Sequence, residues 1–527
     1  MKGFLKKHAV ILLSIVVFIF AFGLRCYYLT QKASFFADEM AGYNISTLNN
    51  MGYKIGYGYS SVYSGQDLME MNFAKVNSYS QWFRNAKRLY IDNNGDNPHT
   101  NFYHTLYSLA VVDKGYYYEY KDLVKHLGVL NLTLFTMSFW LLYLVLRRLF
   151  KDNKMYIPLG LAVAFFNTGS ISNTIFFRDY QLQETCFIFL LYAYVRFYQS
   201  IENNENYGLI KNSLILTIAN TLAFLSGYFS VIYVGLITLS LMILAKKHKN
   251  KKSLLVVVSC AIAGFILTLL CYHGYFTVTE SGRAAEAQAL MLGEGLIRNT
   301  WYSAAKLLII IFNYLFYVPV VLLGAFLLFK RSKQGSAMLN SILITSVLWL
   351  LAITYLMPFK VLRYVVPIFP ALSIAIPYLA SLLKDNYKKI AIAGFLFLYI
   401  SSAVFASRND YAVYGLSKFS LVKGNVENTY QSFEPLNKKI AERKIPVLMY
   451  VRHNHSYMYS QLFTNPARDV LFKFVKDNYT TRPHFKRFYF VCFDQSLPPA
   501  FEIIEQEGFK VIDTFKINDY TIFELED

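Results

Sequence analysis

Residues 8–40, "HAVILLSIVVFIFAFGLRCYYLTQKASFFADEM", decide how the chain is read. The segment opens with an apolar run of about 20 residues, enough to cross ~30 Å of hydrocarbon. It closes on two adjacent carboxylates, Asp38 and Glu39. A signal peptide has a shorter apolar core and a small-residue cleavage site, and neither fits here, so the run is read as a retained span.

The same signature recurs. Of 527 residues, 55% are hydrophobic, 17% aromatic and 16% charged, whereas ordinary soluble domains are roughly a quarter charged. Eleven apolar blocks lie near 8–29, 124–146, 155–173, 181–199, 208–225, 227–245, 253–273, 304–329, 338–356, 362–383 and 390–407. The expected fold class is an α-helical polytopic membrane protein of about eleven transmembrane helices.

Basic residues orient it. With the N-terminus in the cytoplasm, the inner segments carry nineteen Lys and Arg, from Lys2, Lys6 and Lys7 to Lys384, Lys388 and Lys389. The short outer connections hold only Arg178, Arg283, Arg298 and Lys360, with Arg363 at a span end. The net charge of +19 is therefore a topology signal of the positive-inside kind, and a nucleic-acid partner is excluded. The expected location is the cytoplasmic membrane, with Asp38 and Glu39 at its outer face and the C-terminal region outside. The five cysteines form no framework: four sit in spans and Cys492 stands alone in the tail.

Between the spans, the outer loop 30–123 holds "NFAKVNSYSQWFRNAKRLYI" (72–91) and "NFYHTLYSLAVV" (101–112), apolar at helical spacing and dense in rings. They read as amphipathic helices lying in the membrane interface. The loop 274–303 has glycines at 282, 293 and 295 around a helical stretch, the pattern of a lid or of a plain solvated loop. The tail 424–527 alternates strand-like "KIPVLMYVR", "RFYFVCF", "FKVIDTF" and "YTIFELE" with helical "EPLNKKIAERK", "DVLFKFVKDN" and "PAFEIIEQEG". That is sufficient for a small soluble α/β domain.

An ionisable group beside a span is a functional candidate. Asp38 and Glu39 also suit the first turn of a helix, where the dipole favours acids. The matches around them carry a resemblance. Asp38-Glu39 is followed by Tyr43 and Gly52; "GDNPHTNFYH" (95–104), "HLGVLNLTLFTMSFWLLYLVLRRLF" (126–150), "FFRDYQLQETCFIFLLYAY" (176–194) and "MPFKVLRYVVPIFP" (357–370) follow in order. The chain thereby resembles the C-type integral membrane glycosyltransferases, which include the protein O-mannosyltransferases and aminoarabinose transferases. The likeness covers about 30–370. It departs from the family at Asn97-Pro98-His99, where relatives tend to show His-Pro-Pro.

The resemblance implies a C-type transferase domain over 1–407 and transfer of a sugar from a polyprenyl-phosphate donor to an acceptor hydroxyl with inversion; the tail 424–527 lies outside it and is read, from its own pattern, as a separate extracytoplasmic α/β domain. Asp38 would be the general base, and Glu39 would orient the acceptor or contact an ion. A lipid phosphate is already a stabilised leaving group, so one base suffices. Arg178, Lys360 and Arg363, with Tyr364, are the candidates for the donor phosphate, since arginine meets phosphate bidentately; snorkelling to headgroups is the alternative for each cation. Tyr43, His104, Arg283 and Arg298 are candidate acceptor or lid contacts. No cofactor is assigned; a divalent metal remains open, as do the sugar and the acceptor. The rival class is a transporter or lipid-linked glycan flippase, which would place charges at the bilayer midplane and show internal repeats.

Overall fold

The computed structural model describes residues 2–32, 35, 37–47, 62–91, 100–117, 120–203, 206–275, 305, 337–356, 362–383, 392, 430–450, 470–475, 485–493, 497–517 and 520–527. The chain is mostly helical, with a small sheet toward its C-terminus. It divides into two compact units. One comprises Met1–Tyr28, Asn97–Tyr103 and Leu130–Val413; the other comprises Leu29–Asp96, His104–Val129 and Tyr414–Asp527.

Among the described residues, six helices are long and apolar enough to cross a membrane: His8–Gln31, Lys121–Leu149, Leu209–Ser226, Ser230–Lys247, Lys251–Cys271 and Ala337–Leu356. This is the fold of a multi-pass membrane protein. In chain order its helices are α1 (Lys2–Gln31), α2 (Ala37–Thr47), α3 (Gly65–Phe73), α4 (Tyr79–Ile91), α5 (Asn101–Ala110), α6 (Tyr120–Leu149), α7 (Tyr156–Phe165), α8 (Thr168–Ile175), α9 (Tyr180–Glu202), α10 (Asn206–Ser226), α11 (Ser230–Lys247) and α12 (Lys251–Cys271). Burial sorts them. In α1 the residues Ile15, Val16, Ile19, Phe20 and Leu24 are exposed, as are Leu255, Ile262, Ile266 and Leu270 of α12. Such faces suit hydrocarbon. In α9 nearly every side chain is buried, polar Gln181, Gln183 and Glu184 included.

Of the eleven expected blocks, 304–329 and 390–407 lie outside the described residues apart from one position each. Three others differ from a single apolar span. Block 155–173 is two helices: α7 stops at Phe165, and Asn167 caps α8 by accepting from the Ser170 backbone N–H at 2.8 Å. Block 362–383 is a succession of short turns, Leu362–Tyr364, Val366–Ile368, Phe369–Ser373 and Ala375–Leu382. Pro367 and Pro370 cannot supply the N–H groups that a continuous helix needs there. Block 181–199 is one helix, but its amides and carboxylate face other protein rather than lipid.

Where α10 meets α12 the backbones approach closely. A Cβ on Gly264 would stand 2.7 Å from the Asn220 Cβ and 3.2 Å from the Thr217 carbonyl oxygen. Thr268 lies one turn on and donates to the Gly264 carbonyl at 2.9 Å. Small residues at four-residue spacing are what allow such contact. Gly264→Val is expected to lower stability by about 1–3 kcal/mol, as overpacked cores do. Thermal unfolding in detergent checks it, and an unchanged midpoint would show that the two helices can separate freely.

In the second unit a six-stranded sheet runs in the order β1-β3-β2-β4-β6-β5. The strands are β1 (Val62–Ser64), β2 (Val447–Tyr450), β3 (Leu471–Val475), β4 (Arg487–Phe493), β5 (Lys510–Ile517) and β6 (Tyr520–Glu526). β2 runs parallel to both β3 and β4, while β6 is antiparallel to β4 and β5. Its edge strand β1 comes from the first loop and pairs antiparallel with β3. One face packs Leu448, Phe488, Phe490, Phe523 and Leu525 against Ala500, Ile503 and Ile504 of the helix Leu497–Glu507. The helix Tyr430–Arg443 buries Phe433, Leu436 and Ile440, and its Phe433 ring meets Tyr520 edge-on at 5.2 Å. Buried Glu524 takes Arg443 at 3.2 Å, Lys439 at 3.8 Å and also Arg487.

The tail corrects one expectation. "DVLFKFVKDN", expected helical, supplies β3. Phe472 is fully buried while its neighbour Leu471 is 41% exposed. The parallel partner β2 supplies a ladder that a helix here would forgo.

Candidate functional site

In the second unit the two adjacent acids open α2, both in its first turn. They are treated differently. Glu39 is fully buried, and Lys32, just past α1, donates through Nζ to both of its oxygens at 2.8 and 3.0 Å. Both side chains of this pair have 0% exposure. Burial draws the Lys32 ammonium below its ordinary pKa, with the Glu39 charge and hydrogen bonds opposing that shift. The Lys32 Nζ also lies 5.6 Å from the Phe35 ring centroid. Asp38 is half-buried. Neighbours on a helix point about 100° apart, so the carboxylate locked by Lys32 and the one beside it face different surroundings.

The rest of α2 is anchored within the same unit. Tyr43 is buried, donates its hydroxyl to the Ala74 carbonyl, and meets Tyr107 edge-on at 6.1 Å. Ser46 donates to the Gly42 carbonyl at 2.6 Å, and His104 Nδ1 lies 3.0 Å from the same hydroxyl oxygen. Tyr43 and His104 therefore gather on the helix that carries Asp38, through packing and hydrogen bonds.

The first unit gathers a different subset. Arg178 and Asp179 are buried in the turn between α8 and α9, where the Arg178 N–H donates to the Phe176 carbonyl at 2.8 Å. The half-buried Arg363 sits with its Cζ 5.3 Å from the Phe176 ring and 5.5 Å from the Tyr364 ring. Tyr364 in turn meets Tyr180 edge-on at 5.9 Å. Two sequence segments almost 200 residues apart, 176–180 and 363–364, thus form one aromatic-and-guanidinium cluster. Arg283, Arg298, Lys360 and His99 lie outside the described residues. Among the described residues no three His, Cys, Asp or Glu side chains converge in the manner of a metal site.

Residue-type reasoning passed over Lys32, and it passed over a buried polar core in the first unit. Arg25 donates to Thr174 Oγ1 (2.9 Å), Ser170 Oγ (2.8 Å) and the carbonyls of Ala21 (3.0 Å) and Phe165 (3.1 Å). Its guanidinium lies 3.7 Å from the Phe135 ring centroid. Glu184 accepts from Ser170 Oγ (3.2 Å), Asn173 (3.1 Å) and Gln181 (3.1 Å). The signal was present: each is a charge inside an otherwise apolar block.

No protein-family model matches the sequence, and no curated protein matches it. Two solved structures are similar to the chain over nearly its whole length. One is the crystal structure of ArnT from Cupriavidus metallidurans bound to undecaprenyl phosphate, at 12% identity and TM-score 0.47, covering 97% of each chain. The other is the apo crystal structure of the same protein, at 12% identity and TM-score 0.46, covering 98% of each chain.

Proposed function

We propose that the protein is a glycosyltransferase that moves a sugar from a polyprenyl-phosphate donor to an acceptor hydroxyl at the outer face of the cytoplasmic membrane. The observation that carries the reading is the division between the paired acids. Glu39 is buried against Lys32 through both oxygens. We assign the substrate to Asp38, which is half-buried at the same helix start. In the proposed step Asp38 takes the acceptor's hydroxyl proton as that oxygen attacks the anomeric carbon. The bond from that carbon to the phosphate oxygen breaks with its electron pair, the polyprenyl phosphate departs, and the configuration inverts. A single base is enough, unlike hydrolysis by two facing carboxylates. For the phosphate, the candidate countercharges are Arg178 and Arg363 of the first unit, where Arg363 lies beside the rings of Phe176 and Tyr364.

Arg25 and Glu184, charged groups buried in the helical unit, are what a transporter reading would draw on. One experiment separates the two. The full chain in lipid nanodiscs is incubated with radiolabelled polyprenyl-phosphate sugars and hydroxyl acceptors, and in parallel the proteoliposomes are assayed for uptake. Covalent product is the expected result; movement of label across the bilayer without any new glycosidic bond would overturn it.

A further inference from the structure

We propose that Glu184 and Arg25 are positioning residues that hold the interrupted helix α8 and, through it, set the Phe176–Arg178 turn against Arg363. The consequence for phosphate binding rests on the functional reading above; the positioning itself rests on geometry alone.

α8 is eight residues long and every one of them is buried. So short a helix has little stability of its own. It is gripped from two directions. Arg25 reaches it at Ser170 and Thr174, one turn apart, and also satisfies the Phe165 carbonyl at the end of α7. Glu184 reaches it at Ser170 and Asn173. Ser170 is the shared member: its hydroxyl accepts from Arg25 and donates to Glu184, so the cation and the carboxylate are linked through a single oxygen. Gln181 extends the grip by donating to Glu184 while accepting from Thr174 at 2.7 Å. Asn131 secures the last turn by donating to the Thr174 carbonyl at 2.9 Å.

The other side of α8 lies directly on the segment that carries Arg363. A Cβ on Gly169 would stand 3.1 Å from Val366 Cγ2 and 3.2 Å from Phe369 Cε2. α8 ends at Ile175, and the next residue, Phe176, is the ring beside Arg363. A shift of α8 along or about its axis therefore moves Phe176 and Arg178 relative to Arg363. Neither Glu184 nor Arg25 needs to touch substrate for this.

The test uses the full chain in nanodiscs with Gly169→Cys and Val366→Cys, a pair close enough to bridge. Disulfide yield is read by mass spectrometry of the 169–366 cross-link in three backgrounds: unaltered, Glu184→Leu and Ser170→Ala. In parallel, without the cysteine pair, affinity for undecaprenyl phosphate is measured for the same backgrounds and for Arg178→Gln. The expected result is a clear loss of cross-link in both altered backgrounds, with affinity weakened about tenfold, the scale of one lost charge-assisted hydrogen bond. A folded Ser170→Ala protein with unchanged cross-link yield and unchanged affinity overturns the proposal, and it decides the matter even if Glu184→Leu fails to fold. If unaltered protein ignores undecaprenyl phosphate, the donor reading falls, while the cross-link still decides the positioning. Affinity lost in Arg178→Gln alone would mean that the turn acts without the grip.

Discussion

Asp38→Asn is expected to reduce sugar transfer by about 100-fold or more, the range that a positioned general base contributes. The substitution keeps the size of the side chain and removes its charge and its capacity to take a proton. α2 keeps three other anchors in the variant: Tyr43 to Ala74, Ser46 to Gly42, and Glu39 to Lys32. Donor KM should accordingly stay near its original value while kcat falls. Glu39→Gln offers a contrast, since it disturbs the buried pair with Lys32. The measurement is initial-rate turnover with a radiolabelled polyprenyl-phosphate sugar, with unfolding midpoints run alongside. Turnover persisting in Asp38→Asn at more than about a tenth of the original rate would remove Asp38 as base.

Lys32→Met is expected to cost about 3–5 kcal/mol of stability, because it strands the Glu39 carboxylate in a fully buried position. Removing both charges together, as Lys32→Met with Glu39→Met, should recover most of that loss, since apolar groups of similar volume often replace a buried pair at little net cost. The comparison is a double-mutant cycle read by thermal or denaturant unfolding of the detergent-solubilised protein. A single variant as stable as the original would mean that Glu39 is not held as the 2.8 and 3.0 Å contacts require. The pair also joins the end of α1 to the start of α2. Lys32→Met should therefore lower turnover as well, whereas the doubly apolar protein tests whether stability alone accounts for that fall.

Much of the fold was legible in the chain. Blocks of about 20 apolar residues announced the long helices, and six described helices meet that standard. The tail announced itself through strand-like segments alternating with helical ones, and the four strand-like segments became β2, β4, β5 and β6. β3 did not: "DVLFKFVKDN" suits a helix or a strand when read alone, and the open edge of β2 decided it. β1 was invisible for the same reason, being three residues that become a strand only beside β3. α9 misled in another way, because Gln181 and Glu184 look like flaws in a lipid-facing helix and are in fact buried side chains of a helix enclosed over most of its surface.

At the candidate site the balance is similar. Adjacent acids after the first span, and an Arg-Tyr pair among prolines, could be singled out by residue type. Which of the two acids is enclosed could not, because that depends on a lysine seven residues earlier folding back onto Glu39.

The sequence by itself determined the solvent in which this protein folds and the chemistry it has to offer, because apolar block length and charge asymmetry are summed along the chain and need no partner. Only the tertiary structure decided which charges are enclosed and which are presented. Burial, ion pairing and the meeting of residues 176–180 with 363–364 are pairwise quantities, set by segments far apart in sequence whose contact no local pattern encodes.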